Sequence, residues 1–382
     1  MKMQIIPEPK CIQQKFMNGV VKRFKENGYT YQECAKRLGV DPFLGVPFNK
    51  IRRPTWQPDP RNGTDMLISL FIDGNPIPLA TASQFFPASD LDHLAEMSLI
   101  EISDTTVRAP LSLFPCFDHY IVTDPIEKNP DMNQVMWLFA GSFIFGTVID
   151  HLLSCKKRDR GLDLCTGAGV HALIASSHCR EVIGIDNNPR AVAFANFSKA
   201  LNDIGNVEFL LGDVYKPAEG EFDAIVSHPP YIPDAGSQSG SNFWSGGATG
   251  NEIVQRIITE LPRYLEDTGI CLIFSIFPDL PGHSARLYFD QWLAGRSTDF
   301  DILDSSLRMP GIQNTPYVEK NAEVRELIFT GGIFALSKSR HGGSYQTNPP
   351  PSSQSCYHIF APDGKTASST EVDMMNAWIK SR

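Results

Sequence analysis

The chain has 382 residues, 42% of them hydrophobic and 20% charged, with a formal net charge of −9. That composition excludes a mainly disordered chain and leaves room for two domains at roughly 100–200 residues each. The acidic balance also speaks against a general nucleic-acid binder, which needs a basic face for phosphates.

The charge is uneven. Residues 1–60 hold eleven Lys or Arg against five Asp or Glu, so the remainder carries −15. A solvated basic helix face accounts for the surplus, with a basic N-terminal arm as the alternative. Nucleic acid is not the expected partner. Met1 to Lys10 carries Pro7 and Pro9 and has no apolar stretch of the kind a secretory signal needs. The longest apolar segment, Val135 to Leu153, is broken by Asp150 and His151 and falls short of a membrane span. A soluble, cytoplasmic protein with no membrane contact is expected. The eight cysteines are scattered without a CxxC pair, which predicts reduced thiols rather than disulfides or a zinc site.

In chain order, Phe16, Val20, Val21 and Phe24 recur at helical spacing within Cys11 to Gly39, and a second short helix is predicted from Tyr29 to Leu38. Asp41 to Arg61 is proline-rich and irregular. Helices follow over Asp65 to Phe71 and Asp90 to Met97, then strands over Leu99 to Ile102 and Val107 to Phe114. Helices ending in a small β-ribbon resemble a winged-helix module.

From residue 160 the texture changes. Continuous apolar runs at Gly161–Leu164, Val182–Ile185, Val207–Leu211, Ala224–Val226 and Ile270–Phe274 alternate with helical stretches at Val170–Ser176, Arg190–Leu201 and Ile253–Tyr264. Strands apolar on both faces, alternating with helices, mean an α/β fold on a parallel sheet. Two more strands are predicted at Glu326–Leu336 and Tyr357–Phe360, with a Gly-, Ser- and Pro-rich loop, His341 to Ser355, between them.

Asp163-Leu-Cys-Thr-Gly-Ala-Gly169 ends the first of these strands and opens a helix. Gly167 and Gly169 let the backbone turn sharply and approach a ligand. Asp186 ends the next strand, where an acid can hold both hydroxyls of a ribose. Gly167-x-Gly169-x-x-Ala172 also fits a dinucleotide fingerprint, so an NAD enzyme is weighed. Three features favour S-adenosylmethionine (SAM). Asp163 sits where a carboxylate meets a cationic amino-acid end and would repel a pyrophosphate. Gly212-Asp213-Val214 follows the third strand, placed for an adenine amino group. The fourth strand runs into His228-Pro229-Pro230-Tyr231, a stiff turn with free carbonyls and an aromatic face.

Together, Asp163–Ala172, Asp186 to Asn202, Gly212-Asp213, His228–Pro233 and Gly246-Gly247-Ala-Thr-Gly250 resemble class I SAM-dependent methyltransferases over roughly residues 160 to 275. More narrowly they look like the Asn-Pro-Pro-Tyr branch, the release-factor glutamine methyltransferases and the N6-adenine and N2-guanine enzymes. The resemblance implies a Rossmann-like domain with a seven-stranded, mostly parallel sheet, preceded by a helical, winged-helix-like part. It implies an accessory domain over 1–125 and a SAM-binding catalytic domain over 126–382. Asp163, Cys165, Gly167 and Gly169 would line the methionine end of SAM, Asp186 and Asn187 the ribose, and Asp213 and Val214 the adenine.

This chain departs from the branch in carrying His228 where the family has Asn, Asp or Ser. There the first-position side chain and the carbonyl of the proline after it hold the two hydrogens of a planar NH2. A neutral imidazole offers one acceptor, or a general base. His228, Pro229 and Tyr231 are the expected catalytic group. Tyr215, Phe243 and Trp244 are expected at the pocket wall and on a lid, and no metal is called for. The substitution shifts the expected acceptor to nitrogen or oxygen of a small molecule. One alternative uses SAM itself, closing to azetidine-2-carboxylate with loss of methylthioadenosine, as azetidine-2-carboxylate synthases do. The further alternative is methylation of a protein glutamine or of nucleic acid.

Overall fold

The computed structural model describes residues 7–39, 56–125, 133–232, 243, 245–247, 249–279, 284–295, 298–304, 307–309, 328–339 and 342–347. The front of the chain is helical. Helix α1 (Gln14–Glu26) buries Met17, Val20 and Phe24 on one stripe, as the spacing predicts. Helix α2 (Tyr31–Leu38) starts where the Thr30 hydroxyl caps the Glu33 N–H and stops at Gly39, whose left-handed φ suits glycine. The helix expected over Asp65 to Phe71 is in two pieces, α3 (Gly63–Leu67) and a π-helical turn (Ile68–Ile72).

A short strand β1 (Ile77–Pro78) leads into α4 (Leu79–Phe85) and α5 (Ala88–Glu96). Strands β2 (Glu101–Ile102) and β3 (Thr106–Arg108) complete an antiparallel sheet in the order β1-β3-β2. The strand expected over Val107 to Phe114 is divided at Ala109-Pro110, because proline cannot donate to a ladder. Its second half belongs to a separate hairpin, β4 (Ser112–Cys116) with β5 (His119–Thr123).

Helix α6 (Ala140–Ser154) takes up most of the apolar segment Val135 to Leu153. It is a core helix: Phe143, Phe145, Ile149 and Leu153 are fully buried. Among the described residues, no helix is long and apolar enough to cross a membrane.

The α/β part then follows the expected alternation: β6 (Arg158–Leu164), α7 (Val170–Ala175), β7 (Cys179–Asp186), α8 (Pro189–Leu201), β8 (Val207–Leu211), β9 (Phe222–Ser227), α9 (Glu252–Tyr264) and β10 (Leu265–Asp279). Helix α10 (Ala285–Leu293) and strands β11 (Phe300–Asp304), β12 (Leu307–Met309), β13 (Ile328–Lys338) and β14 (Ser344–Thr347) close the described chain. Seven strands run in the order β8-β7-β6-β9-β10-β13-β11, and β13 is antiparallel to both its neighbours. The sheet has nine strands rather than the expected seven, because β14 adds beyond β11 and β12 pairs with β13. Strand β14 lies inside the stretch read as loop, and the strand expected at Tyr357–Phe360 is outside the described residues. Helix α10 and β11 have no counterpart in the sequence reading.

Two apolar layers flank the sheet. One, over α9 and α10, gathers Ile225, Ile257, Leu261 and Phe277. The other runs without a break from Phe24 and Tyr29 through Phe143 and Phe145 to Leu272 and Phe274. The front half and the sheet therefore share one core. Helix α1 docks beside the end of α8, with the Gln14 amide donating to the Ala200 carbonyl at 2.7 Å and Asn18 to Asp203 at 3.1 Å. That end of α8 is at the amino edge of the sheet, so the basic residues of α1 lie away from the strand ends where Gly167 and His228 sit. Lys22 and Arg23 pair with Glu26, and Arg23 also with Asp90.

The front half is stapled by Asp65, which is fully buried. Arg37 donates to it twice, and the Asp59 N–H adds a third bond at 2.9 Å. Asp65→Ala is expected to cost about 2–3 kcal/mol, the size of a lost charge-assisted set with a half-buried partner. It should lower the melting temperature by a few degrees, as read by thermal unfolding; an unchanged transition would show that the staple is dispensable.

Candidate functional site

The carboxyl ends of β6, β7, β8 and β9 make one edge, and the expected residues meet there. Asp163, near the end of β6, is fully buried. Its Oδ2 accepts from the Thr166 hydroxyl at 2.6 Å and the Ala172 N–H at 3.0 Å, while Oδ1 has no partner. Burial pushes its carboxyl up to about 7 against the pull of those two bonds. A buried, unpartnered carboxylate oxygen costs about 1–3 kcal/mol or more and calls for a donor.

The turn after it is left-handed three times, at Cys165 (φ 59°), Gly167 (φ 56°) and Gly169 (φ 86°). A Cβ at Gly169 would lie 2.7 Å from the Phe209 ring, whereas a Cβ at Gly167 would meet nothing within 4 Å. Gly167 thus borders open space. The Cys165 thiol is half-buried, and burial raises it well above its usual range. Asp186 at the end of β7 accepts from the Gly167 N–H at 2.8 Å and the Asn188 N–H at 2.9 Å. Burial pushes its carboxyl upward, opposed by the N–H groups of Asn188, Gly167 and Asn187. Asn187 itself is exposed.

Asp213 is half-exposed and pairs with Arg256 of α9 at 2.7 Å, which holds its carboxyl below the usual range. Arg256 was not foreseen, since nothing in its spacing marks it. Val214 is buried with a left-handed φ of 54°. Tyr215 corrects the sequence reading. It is not a pocket wall: its side chain is fully buried, stacks on Tyr264 at 4.2 Å and donates to the Ile257 carbonyl at 3.1 Å. The turn at Asp213 and Val214 directs the next side chain into the core beside α9.

The Pro-Pro turn leaves β9 at this edge. The His228 ring is half-buried and surrounded by rings. Phe274 is 4.4 Å away between centroids, Phe139 5.4 Å, His171 5.7 Å, and Phe145 and Tyr231 5.8 Å each. Tyr231 lies nearly parallel to it, at 11°. Desolvation, aided by His171, drives the His228 imidazole well below its usual range, so the ring is neutral at ordinary pH. Pro229 is buried at the head of the turn. Gly141 lets this wall close up, since a Cβ there would stand 2.6 Å from Phe139 and 3.3 Å from His228.

Phe243 meets Trp137 edge-on at 5.9 Å; Trp244 is outside the described residues. The Gly-Gly segment is tied to the turn, as Ile232 accepts from the Gly246 N–H and Gly246 in turn from the Glu252 N–H, both at 2.9 Å. Sequence reasoning also missed His171, read only as part of a helix, and the wall made by the half-buried Phe139 and the fully buried Phe145. Nor did it find Asn251 and Ser275, buried polar side chains with unpartnered atoms.

Chemically, this edge offers acidic groups and exposed backbone over β6 to β8, and a neutral aromatic box over β9 and β10. Asp163 Oδ1 is free for a cation, Asp186 for hydroxyls, and the open face at Gly167 for close backbone approach. That set fits SAM, a cationic nucleoside, and the negative charge disfavours a pyrophosphate. Strand order, glycine turn and acids define a class I SAM-dependent methyltransferase domain, with SAM as its cofactor.

Comparison with known proteins gives the same class. Residues 145–284 match the family model of the methyltransferase small domain. A protein of Methanocaldococcus jannaschii named "Putative protein N5-glutamine methyltransferase" is 34% identical over 131 residues, 33% of this chain and 66% of that one. The release factor glutamine methyltransferase of Thermodesulfovibrio yellowstonii is 35% identical over 127 residues, 30% of this chain and 46% of that one. The ribosomal protein uL3 glutamine methyltransferase of Bradyrhizobium diazoefficiens is 30% identical over 166 residues, 37% of this chain and 50% of that one. The chain spans from under half to about two thirds of the length of these relatives. Over residues 145–284 it carries a methyltransferase small domain, and it resembles the release-factor glutamine methyltransferases.

These relatives overturn the expected acceptor. The small-molecule substrate, and SAM acting on itself, were expected from the His228 substitution, whereas these relatives are named for protein glutamine. A neutral imidazole still presents a hydrogen-bond acceptor, so the substitution does not by itself demand a new substrate class.

The two loop glycines separate fold from binding. Gly167→Ala and Gly169→Ala each carry the left-handed strain of about 1–2 kcal/mol. Only Gly169→Ala adds a clash with Phe209 and Ala195. Gly169→Ala should therefore lower the melting temperature further, and Gly167→Ala should weaken SAM binding with the smaller thermal shift. Calorimetry on both variants checks this; equal melting temperatures with unchanged SAM affinity would contradict it.

Proposed function

We propose that the chain is a SAM-dependent methyltransferase acting on the side-chain amide nitrogen of a protein glutamine. The observation that carries this reading is the His228 turn: a neutral acceptor and a proline carbonyl at the end of β9, walled by aromatic rings beside the Asp163 edge. In this reading residues 126–382 are the catalytic unit and 1–125 an accessory one. A substrate of this class would place the protein in the cytoplasm.

In the proposed assignment, Asp163 Oδ1 accepts from the cofactor's ammonium, with Cys165, Gly167 and Gly169 lining that end. Asp186 and Asn187 face the ribose, and Asp213 and Val214 the adenine, with Arg256 holding Asp213 in place. SAM supplies an electrophilic methyl group on a cationic sulfur. An amide nitrogen is a poor nucleophile because its lone pair is delocalised into the carbonyl. His228 accepts one N–H and the Pro229 carbonyl the other, which turns the lone pair out toward the methyl group; orientation of this kind is a large catalytic term. Tyr231 and Phe274 pack the planar amide and exclude water. As the N–C bond forms and the C–S bond breaks, the nitrogen becomes strongly acidic. Its proton passes to the bare nitrogen of His228, a transfer that even a weakly basic imidazole can accept, and leaves for solvent once the product has departed.

The test is methyl transfer from labelled SAM to a glutamine-bearing release-factor domain, with the modified atom located by mass spectrometry. A methyl group on the glutamine amide is expected. His228→Ala should cut kcat about a hundredfold while SAM affinity stays within about twofold. A methyl group on another atom, or methylthioadenosine with no methylated product, would reject the proposal.

The Asp163 acid gives a pH signature. Burial raises its carboxyl from 3.8 to about 7, and only the ionised form pairs with an ammonium. SAM affinity should therefore rise with pH and level off above about 7, falling by up to tenfold per pH unit below that. In the free protein the sign is opposite: the stabilising protonated form is lost as pH climbs from about 4 through 7. Calorimetric titration across this range should give that slope, and Asp163→Asn should flatten it. A pH-independent affinity for the unaltered protein would count against the pairing.

A further inference from the structure

We infer that His171 is a positioning residue that fixes the ring tautomer of His228, so that His228 presents a bare nitrogen to the acceptor. The inference rests on the reading of His228 as the acceptor group. His171 lies on α7, directly after the glycine turn, and is buried. Its Nε2 is 3.2 Å from the Ser142 carbonyl. A carbonyl only accepts, so Nε2 carries the hydrogen. Burial also drives the ring down to about 4. The neutral ring therefore keeps an unprotonated Nδ1, an acceptor inside an aromatic wall.

His228 needs such an acceptor. A neutral imidazole has one N–H and one bare nitrogen, and whichever carries the hydrogen decides what it shows the substrate. Among the described residues, no hydrogen bond reaches either nitrogen of His228. Phe139, Phe145 and Phe274 offer no lone pair, and Tyr231 lies parallel to the ring without bonding to it. His171 stands 5.7 Å away between centroids, with planes inclined at 34°. Closing that gap would bring the His228 N–H onto His171 Nδ1, and such bonds are often long in free proteins and tighten on substrate binding. The chain of contacts then reads Ser142 carbonyl, His171, His228, acceptor amide. Each link is a donor facing an acceptor, and the order fixes the orientation of the last lone pair. Pairing of a base with a second group that orients it is a general device of catalytic sites.

Nitrogen-15 NMR of histidine-labelled protein, with no acceptor present, tests this directly. His228 should show a single tautomer in the SAM-bound protein, and His171→Phe, which keeps a ring in the wall, should convert it to a mixture. In the methylation assay, His171→Phe should lower kcat roughly tenfold with the KM for SAM unchanged, and His171→Gln, which retains an acceptor, should recover part of that loss. A mixed His228 tautomer in the unaltered protein, or an unchanged tautomer and kcat in a folded His171→Phe, would overturn the inference. The NMR arm does not depend on the acceptor. Its failure is thus distinct from a failure to methylate glutamine, which would strike the functional reading instead.

Discussion

The site is organised around a carboxylate held away from water. Asp163 is fully enclosed at the end of β6, one oxygen bonded twice and the other left bare. A fold accepts that desolvation only where something returns it, and in the assignment proposed above the return is the ammonium of the cofactor. The left-handed turn that follows, the N–H groups aimed at Asp186, and the open face of Gly167 all serve the same approach. The opposite half of the edge obeys another rule. Around His228 the surroundings are rings, and the imidazole stays uncharged among them. One half of the edge is acidic and the other is neutral and aromatic.

Much of this was legible in the sequence because it is local. Glycines that need a left-handed turn, acids at strand ends and a double proline write their geometry in adjacent residues. The alternation of apolar runs with helical stretches gave the parallel sheet for the same reason. What escaped depends on distant packing. Arg256 pairs with Asp213 across forty-three positions, and neither residue's neighbours announce it. His171 looked like an ordinary helix position until α7 was placed against the turn after β9. Tyr215 was misread in the opposite sense: adjacency to Asp213 suggested the pocket, and the backbone's reversal there sends it into the core. The late strands were hard for a further reason. Strand β11 is short and carries Asp301 and Asp304, which blunts the apolar signal of a buried strand.

The acceptor is where one residue was given too much weight. A histidine in place of an amide looks like a change of chemistry when seen alone. In the proposed reading it keeps the property that matters for an amide hydrogen, a lone pair carried on a stiff turn. The aromatic walls then make the neutral state the stable one, and sequence could not supply them, because Phe139, Phe145 and Phe274 come from two separate elements and a connecting segment.

One contact ties the leading helices to the wall of the site. Tyr31 of α2 lies flat against Phe143 of α6, 5.4 Å between centroids and 5° between planes, and Phe145 two positions on faces His228. The leading helices therefore pack behind the wall that His228 faces. Cutting them off would bare a sheet of hydrocarbon and, in the same stroke, loosen the panel against which the imidazole leans. The packing of the leading helices and the packing around His228 thus share one helix, α6.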